Sequence, residues 1–148
     1  DFDVHHGNGT ENIFQHDSRV LFCSAFQHPF YPFPDFDFPA SNIVHVPMAA
    51  GTNSEQFRAE IARVWLPELK KFEPQMILIS AGFDGSLYDP MAQWQLLEED
   101  YFWVTDQICK IADEYSQGRV VSVLEGGYQL EHLGLCVVEH IKAMGFAS

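Results

Sequence analysis

The chain alternates short apolar runs with longer stretches in which apolar residues return every three or four positions. Runs rich in apolar, β-branched or aromatic residues at 2–5, 20–24, 43–46, 76–80 and 120–124 predict five strands. Between the third and fourth, Phe57, Ile61, Val64, Trp65, Leu69 and Phe72 fall mostly at helical spacing. Ser54 suits the N-cap of that helix, and Pro67 predicts a kink or break in it. A second helix runs through Tyr101, Val104, Ile108, Ile111 and Tyr115. It begins behind Glu98, Glu99 and Asp100, where the helix dipole favours carboxylates, and stops at Gly118. A third, through Leu130, Leu133, Val137, Ile141 and Met144, ends at Gly145 with Lys142 in its last turn. Strands separated by helices predict an α/β fold with a mostly parallel sheet. Residues 26–40 break the pattern: Phe26, Phe30, Phe33, Phe36 and Phe38, with Pro29, Pro32, Pro34 and Pro39, follow no period. They predict an aromatic loop that either plugs the core or lines a pocket over a strand edge.

Composition narrows the picture. A chain of 148 residues that is 47% hydrophobic fits one globular domain, with a core that needs no disulfide. No apolar run approaches the ~20 residues of a membrane span, and the start of the chain lacks the basic-then-apolar pattern of a secretory signal. Cys23, Cys109 and Cys136 are odd in number, show no C-x-x-C spacing and lie in apolar patterns. Buried, reduced thiols and a cytoplasmic location are therefore expected. Asp and Glu number 21 against 8 Lys and Arg, a net charge of −13. That balance opposes binding to a phosphate backbone and favours a cationic substrate.

Three strand ends carry candidate chemistry. The first reads Asp1-Phe2-Asp3-Val4-His5-His6-Gly7-Asn8-Gly9. In an extended strand Asp1, Asp3 and His5 share one face, so a carboxylate and an imidazole can reach one divalent cation. The same residues also suit solvation or helix capping. The second, Ser80-Ala81-Gly82-Phe83-Asp84, follows the fourth strand. Ligands of open parallel sheets collect beyond the carboxyl ends of strands, so Asp84 stands where a third ligand can converge, or where a helix begins and needs a cap. Two carboxylates and one histidine leave room for water or substrate on zinc. The third, Leu124-Glu125-Gly126-Gly127-Tyr128, follows the last strand. Paired glycines admit close approach to a ligand and bring Tyr128 to the same edge, where a hydroxyl can stabilise an oxyanion; a plain turn with an aromatic lid is the alternative.

Taken in this order, D-x-D-x-H-H-G-N-G, S-A-G-F-D and L-E-G-G-Y resemble the histone deacetylase superfamily. Its bacterial members include deacetylase-like amidohydrolases, acetylpolyamine amidohydrolases and acetoin-utilisation-type proteins. The similarity continues through His28-Pro29-Phe30-Tyr31-Pro32, Trp65-Leu66-Pro67 and Glu98-Glu99-Asp100-Tyr101, and Glu125 is similar to the class II and bacterial branch. The resemblance implies a three-layer arginase/deacetylase-like α/β fold, of which residues 1–148 form the carboxy-terminal portion. It implies Asp3, His5 and Asp84 as zinc ligands and Tyr128 as the oxyanion donor. Asp1 and Ser24, with main-chain oxygens around Asp3, His5 and Ala25, would hold a potassium ion. A second cation would use main-chain groups near Phe14, Asp17 and Val20. Phe30 and Tyr31, with Gly126 and Gly127, would line the channel for an acetyl-lysine or acetylpolyamine substrate.

The chain also departs from that family. The tandem general-base histidines of the family lie upstream of the D-x-D-x-H motif, in a part absent here, and His6 does not replace them. Phe26 stands where many relatives carry a histidine, Pro32-Phe33-Pro34-Asp35 replaces P-G-T-G, and Gly85-Ser86 replaces Ala-His. The ligand set is expected to survive while deacetylation by these residues alone is weak or absent, since general-base catalysis contributes roughly 10²–10⁴-fold. A different expectation is an inactive, metal-binding or self-associating remnant, a homo-oligomer paired through the edge of a truncated sheet. A binuclear manganese hydrolase of arginase type would need more ligands than the three placed here.

Overall fold

The computed structural model describes residues 1–35 and 40–145, so Phe36, Phe38 and Pro39 of the expected aromatic loop lie outside the described residues. β1 (Phe22–Gln27) pairs in parallel with β2 (Ile43–Met48), Phe22 opposite Ile43. β3 (Ile77–Ala81) pairs in parallel with β4 (Val120–Leu124), Ile77 opposite Val120. β1 starts later than the apolar run suggests because residues before it are held in a turn. Val20 N–H donates to Asp17 O (3.0 Å), and the Asn42 side-chain amide donates to Val20 O (3.0 Å).

The expected strand at residues 2–5 is not a strand, and this corrects the premise that Asp1, Asp3 and His5 share a strand face. Asp1 Oδ1 accepts from Asp3 N–H (3.0 Å) and Asp3 Oδ1 from His5 N–H (2.8 Å). Short carboxylate side chains thereby satisfy the local backbone and bend it, in competition with a regular ladder. The bent segment still bridges the two strand pairs. Ala25 N–H donates to Asp1 O (3.0 Å), Gln27 N–H to Val4 O (2.8 Å), and Phe2 N–H to Ser80 O on the other side (3.2 Å). Phe2 and Val4 are both buried in the core.

The helices follow the periodicities with local differences. α1 (Asn8–Phe14) has no buried residue and Ile13 is largely exposed, so no apolar stripe announces it. α2 (Ser54–Glu60) is capped by Asn53 rather than Ser54, Asn53 Oδ1 accepting from Gln56 N–H (3.0 Å). Pro67 does not break the chain of helices. Its missing N–H is absorbed by a π-helical turn, Ile61–Trp65, in which Leu66 N–H reaches back to Ile61 O, before α3 (Leu66–Phe72) continues. α4 (Glu98–Tyr115) and α5 (Leu130–Ala143) end ahead of Gly118 and Gly145 as expected. α4 packs on α5, α2 and α3, and the π turn packs on β2. Between them lie Phe57, Ile61, Trp65, Trp94 and Tyr101, all almost fully buried. Asp100 is also fully buried, and its carboxylate accepts from Arg58 Nε (2.6 Å), Ser54 Oγ (2.6 Å) and Leu97 N–H (2.8 Å), tying α2 to the start of α4. No helix among the described residues is long and apolar enough to cross a membrane. Cys23 and Cys136 are buried, Cys109 half-buried, and all three are free thiols. Burial pushes the Cys23 thiol up to about 12 and the Cys136 thiol up to about 11.

Candidate metal centre

The bent amino-terminal segment and the segments beyond β3 and β4 converge at one point. Asp3 Oδ1 and Asp84 Oδ2 lie 3.0 Å and 3.1 Å from His5 Nδ1. Asp84, immediately beyond β3, is completely buried. Its Oδ1 accepts from Val4 N–H (3.0 Å), while its Oδ2 faces the cluster with no well-aligned hydrogen bond. Gly126, beyond β4, donates its N–H to Asp3 Oδ2 (2.8 Å). A Cβ at position 126 would fall 2.1 Å from Asp84 Oδ2 and 2.6 Å from Asp3 Oδ2, so only a glycine leaves both carboxylates their space. Gly82 has the same reason to be glycine: a Cβ there would lie 2.4 Å from Asp3 Cα.

The electrostatics of the cluster favour a cation. Hydrogen bonds with Asp3 and Asp84 raise the His5 imidazole to about 9, so without a metal His5 itself is the positive charge between two carboxylates. Burial, followed by the neighbouring charge of Asp3, pushes Asp84 above its ordinary value. Burial works against ionisation of Asp3 as well, but hydrogen bonds from His5 and Gly126 hold it below the usual range. A buried, imperfectly bonded carboxylate oxygen, a second carboxylate and one imidazole nitrogen are donors of the type zinc takes, and the donor set fits that ion.

Of the remaining expected residues, Phe30 and Tyr31 meet the cluster through His5. Phe30 stacks on the His5 ring at 5.2 Å and Tyr31 meets it edge-on at 6.2 Å, although Tyr31 is otherwise exposed. Tyr128 is half exposed. Partial burial and the carboxylates of Asp84, Asp3 and Asp89 raise its hydroxyl above the ordinary value. Gly127 has a φ of +138° and its α-carbon packs beneath Leu133. Asp1 is turned toward Gly7, and the fully buried Ser24 accepts from Gly7 N–H through Oγ (3.4 Å). The three carbonyls of Phe14, Asp17 and Val20 converge, and the Asn42 side-chain amide donates to all of them at 2.8–3.2 Å.

Asp89 is a positioning residue that the sequence reading does not identify. Buried beside the site, it accepts from Tyr128 N–H (2.6 Å) and Gln129 N–H (3.0 Å) through Oδ2, and from Met91 N–H (2.9 Å) through Oδ1. It fixes the loop that carries Tyr128. Its one sequence signal is the turn-favouring Asp89-Pro90 pair.

An α/β fold with parallel strand pairs carries a two-carboxylate, one-histidine cluster beside their carboxyl ends, a candidate metal site. The chain belongs to the histone deacetylase domain family, whose model matches residues 1–144 and whose usual cofactor is zinc. It is 40% identical over 160 residues to type-2 histone deacetylase 2 of Dictyostelium discoideum, an alignment covering 97% of this chain and 9% of that protein. It is 33% identical to a histone deacetylase-like amidohydrolase of Pseudomonas aeruginosa, covering 97% of this chain and 40% of that one. Among solved structures, an acetylpolyamine aminohydrolase from Burkholderia pseudomallei superposes with a TM-score of 0.85 at 28% identity, over 97% of this chain and 43% of that one. The HDA15 deacetylase domain superposes with a TM-score of 0.87 at 29% identity, over 99% of this chain and 44% of that one. The fold is that of the deacetylases, and the chain spans less than half the length of each of these relatives.

Proposed function

We propose that residues 1–148 are the carboxy-terminal portion of a zinc-dependent amidohydrolase domain that releases acetate from acetyl-lysine or an acetylated polyamine. The observation that carries this reading is the convergence of Asp3, His5 and Asp84 donor atoms within 4.8 Å of one another at the strand ends. Bound there, zinc supplies Lewis-acid polarisation of the acyl carbonyl and a water of lowered pKa. Asp3, His5 and Asp84 hold the ion, and Gly126 keeps their carboxylates in place. Phe30 and Tyr31 form one wall of the passage for the acylated side chain, with Gly126 and Gly127 on its floor. Tyr128 donates its hydroxyl hydrogen to the carbonyl oxygen as negative charge develops there, a role supported by a raised pKa that keeps it protonated. Asp1 and Ser24 contribute to a potassium site that stiffens the segment behind the ligands. The excess of 21 acidic over 8 basic residues supports a cationic substrate and disfavours nucleic acid. Free thiols, two of them buried, support a reducing, cytoplasmic setting.

The test pairs zinc content with acetate release from an Nε-acetyl-lysine peptide. The parent chain takes up zinc at this cluster and turns over slowly, because it carries no counterpart of the family's tandem general-base histidines. Asp84→Asn loses that zinc equivalent and the turnover; an unchanged zinc content in this variant overturns the assignment. A second reading, a self-associating remnant, is favoured by the exposure of Leu78, Val123 and Leu124 on β3 and β4. It is supported by zinc uptake with dimerisation and no acetate release at any enzyme concentration.

A further inference from the structure

A second cluster lies on the other side of the amino-terminal segment. His6 Nε2 and His45 Nε2 approach the same oxygen, Glu11 Oε2, at 2.9 Å and 2.5 Å, and the two nitrogens are 3.2 Å apart. We propose that His6, Glu11 and His45 form a second, structural site for a transition-metal dication, with zinc as the ion that the donor set fits. This inference rests on its own three residues and does not depend on the role given to Asp3, His5 and Asp84.

With Glu11 as a carboxylate, hydrogen bonding among these three atoms leaves a conflict. If both imidazoles donate Nε2–H to Glu11, two hydrogens are directed into the space between nitrogens 3.2 Å apart. If one imidazole is instead unprotonated at Nε2, its lone pair faces the carboxylate oxygen. A cation at the centre removes the conflict, since it takes a lone pair from each of the three atoms. In a tetrahedral site with bonds of about 2.0–2.2 Å, neighbouring ligand atoms stand about 3.3 Å apart. The triangle reaches that size through side-chain adjustments of less than about 1 Å. Two histidines and one glutamate are an established zinc donor set, and imidazole nitrogen also accepts cobalt and nickel.

The surroundings suit a structural ion. The fully buried Phe26 ring packs edge-on against both imidazoles, at 4.7 Å from His6 and 5.9 Å from His45, giving the site an apolar wall. The His6 and Glu11 side chains are only 2% and 18% exposed. α1 buries none of its residues, so apolar packing does not hold it to the sheet. A metal bound by Glu11 of α1, His45 of β2 and His6 between them would cross-link elements separated by up to 39 positions in the sequence. The site would anchor a helix that buries none of its own residues in the core.

The experiment titrates the metal-free 148-residue chain with Zn²⁺, and with Co²⁺ as a spectroscopic probe. The parent is expected to bind two ions, and Asp84→Asn to retain one with the absorption of a nitrogen- and oxygen-ligated cobalt. Adding Glu11→Gln to Asp84→Asn weakens the retained site by more than the roughly 10–100-fold that loss of an outer-shell partner costs. Retention of that ion at unchanged affinity overturns the proposal, as does an Asp84→Asn chain that folds and binds no metal. If Glu11→Gln disturbs folding, Zn²⁺ must still protect His6 and His45 from carbethoxylation in the Asp84→Asn chain, and equal labelling with and without zinc refutes the site. A parent that binds a single ion, lost with Glu11→Gln and kept with Asp84→Asn, upholds this site while overturning the catalytic one.

Discussion

Replacing Gly126 by alanine tests the centre through a residue that donates no side-chain atom to it. The added Cβ would sit 2.1 Å from Asp84 Oδ2, and real Cβ contacts essentially never fall under 3.0 Å, so the carboxylate must retreat by about 0.9 Å. Asp84 cannot simply rotate away, because it is fully buried and its Oδ1 is held by Val4 N–H. Metal–oxygen bonds of about 2.0–2.2 Å tolerate errors of about 0.2 Å, well below that displacement. Loss of one properly placed ligand should weaken zinc by at least about 100-fold, roughly 2.7 kcal/mol. Overpacking adds about 1–3 kcal/mol of destabilisation in the metal-free state. Both quantities are measurable, the first by competition with a chromogenic chelator at the Asp84-dependent site, the second by urea unfolding of the metal-free chain. Gly9→Ala is the control: nothing lies within 4 Å of its added Cβ, and helix α1 should gain from the substitution. A Gly126→Ala chain whose zinc affinity stays within threefold of the parent refutes the argument that the missing Cβ shapes the site.

Three further outcomes follow from packing and protonation. Asp100→Ala leaves Arg58, Ser54 and Leu97 N–H without their shared acceptor and should cost about 2–4 kcal/mol in urea unfolding; a loss under 1 kcal/mol would show that the half-exposed Arg58 is readily rehydrated. His140 is buried between Thr105 Oγ1 (2.6 Å) and Ser122 Oγ (2.8 Å), and burial lowers its pKa. The unfolded chain therefore takes up a proton that the folded chain refuses. The His140 contribution to stability should be complete above the unfolded value of about 6.5 and decline as pH falls from there toward the lower folded value, a slope that His140→Gln should flatten and whose persistence in that variant would assign it elsewhere. Iodoacetamide at pH 8 should modify half-buried Cys109 well before Cys23, whose thiol burial pushes up to about 12; equal rates by peptide mapping would contradict the packing around β1.

Much of the architecture was legible where burial imposes a period. The apolar stripe of α4 maps directly onto structure because Tyr101, Val104, Ile108 and Ile111 face the core, whereas α5 and β4 form where their patterns place them although Leu130, Ile141, Val121, Val123 and Leu124 stay exposed. α1 escaped notice because it buries nothing, and the strand expected at 2–5 failed because Asp1 and Asp3 spend their side chains on neighbouring backbone. The meeting of Asp3 and His5 was nevertheless readable from their spacing, although a carboxylate-closed bend rather than a pleat brings them together. Their approach to Asp84 followed from its place at a strand end. What no local pattern could reveal is the pairing of His45 with Glu11 and His6, or of Asp89 with the loop at Tyr128, since both rest on contacts between distant segments.

Asp3 both shapes the chain and supplies charge, and these duties separate under mutation. An asparagine at this position, a single-nucleotide change away, would keep an oxygen to accept from His5 N–H and so preserve the bend. It would also turn an amide donor toward Gly126 N–H, which now donates to Asp3 Oδ2 at 2.8 Å. The resulting chain keeps its outline, loses one of its two anionic ligands and loosens the Gly126 end of the loop between β4 and α5, whose Tyr128 end Asp89 still holds. Descent from a working hydrolase to a silent scaffold can thus begin at one codon, and its earliest mark would be a restless glycine loop rather than an unfolded domain.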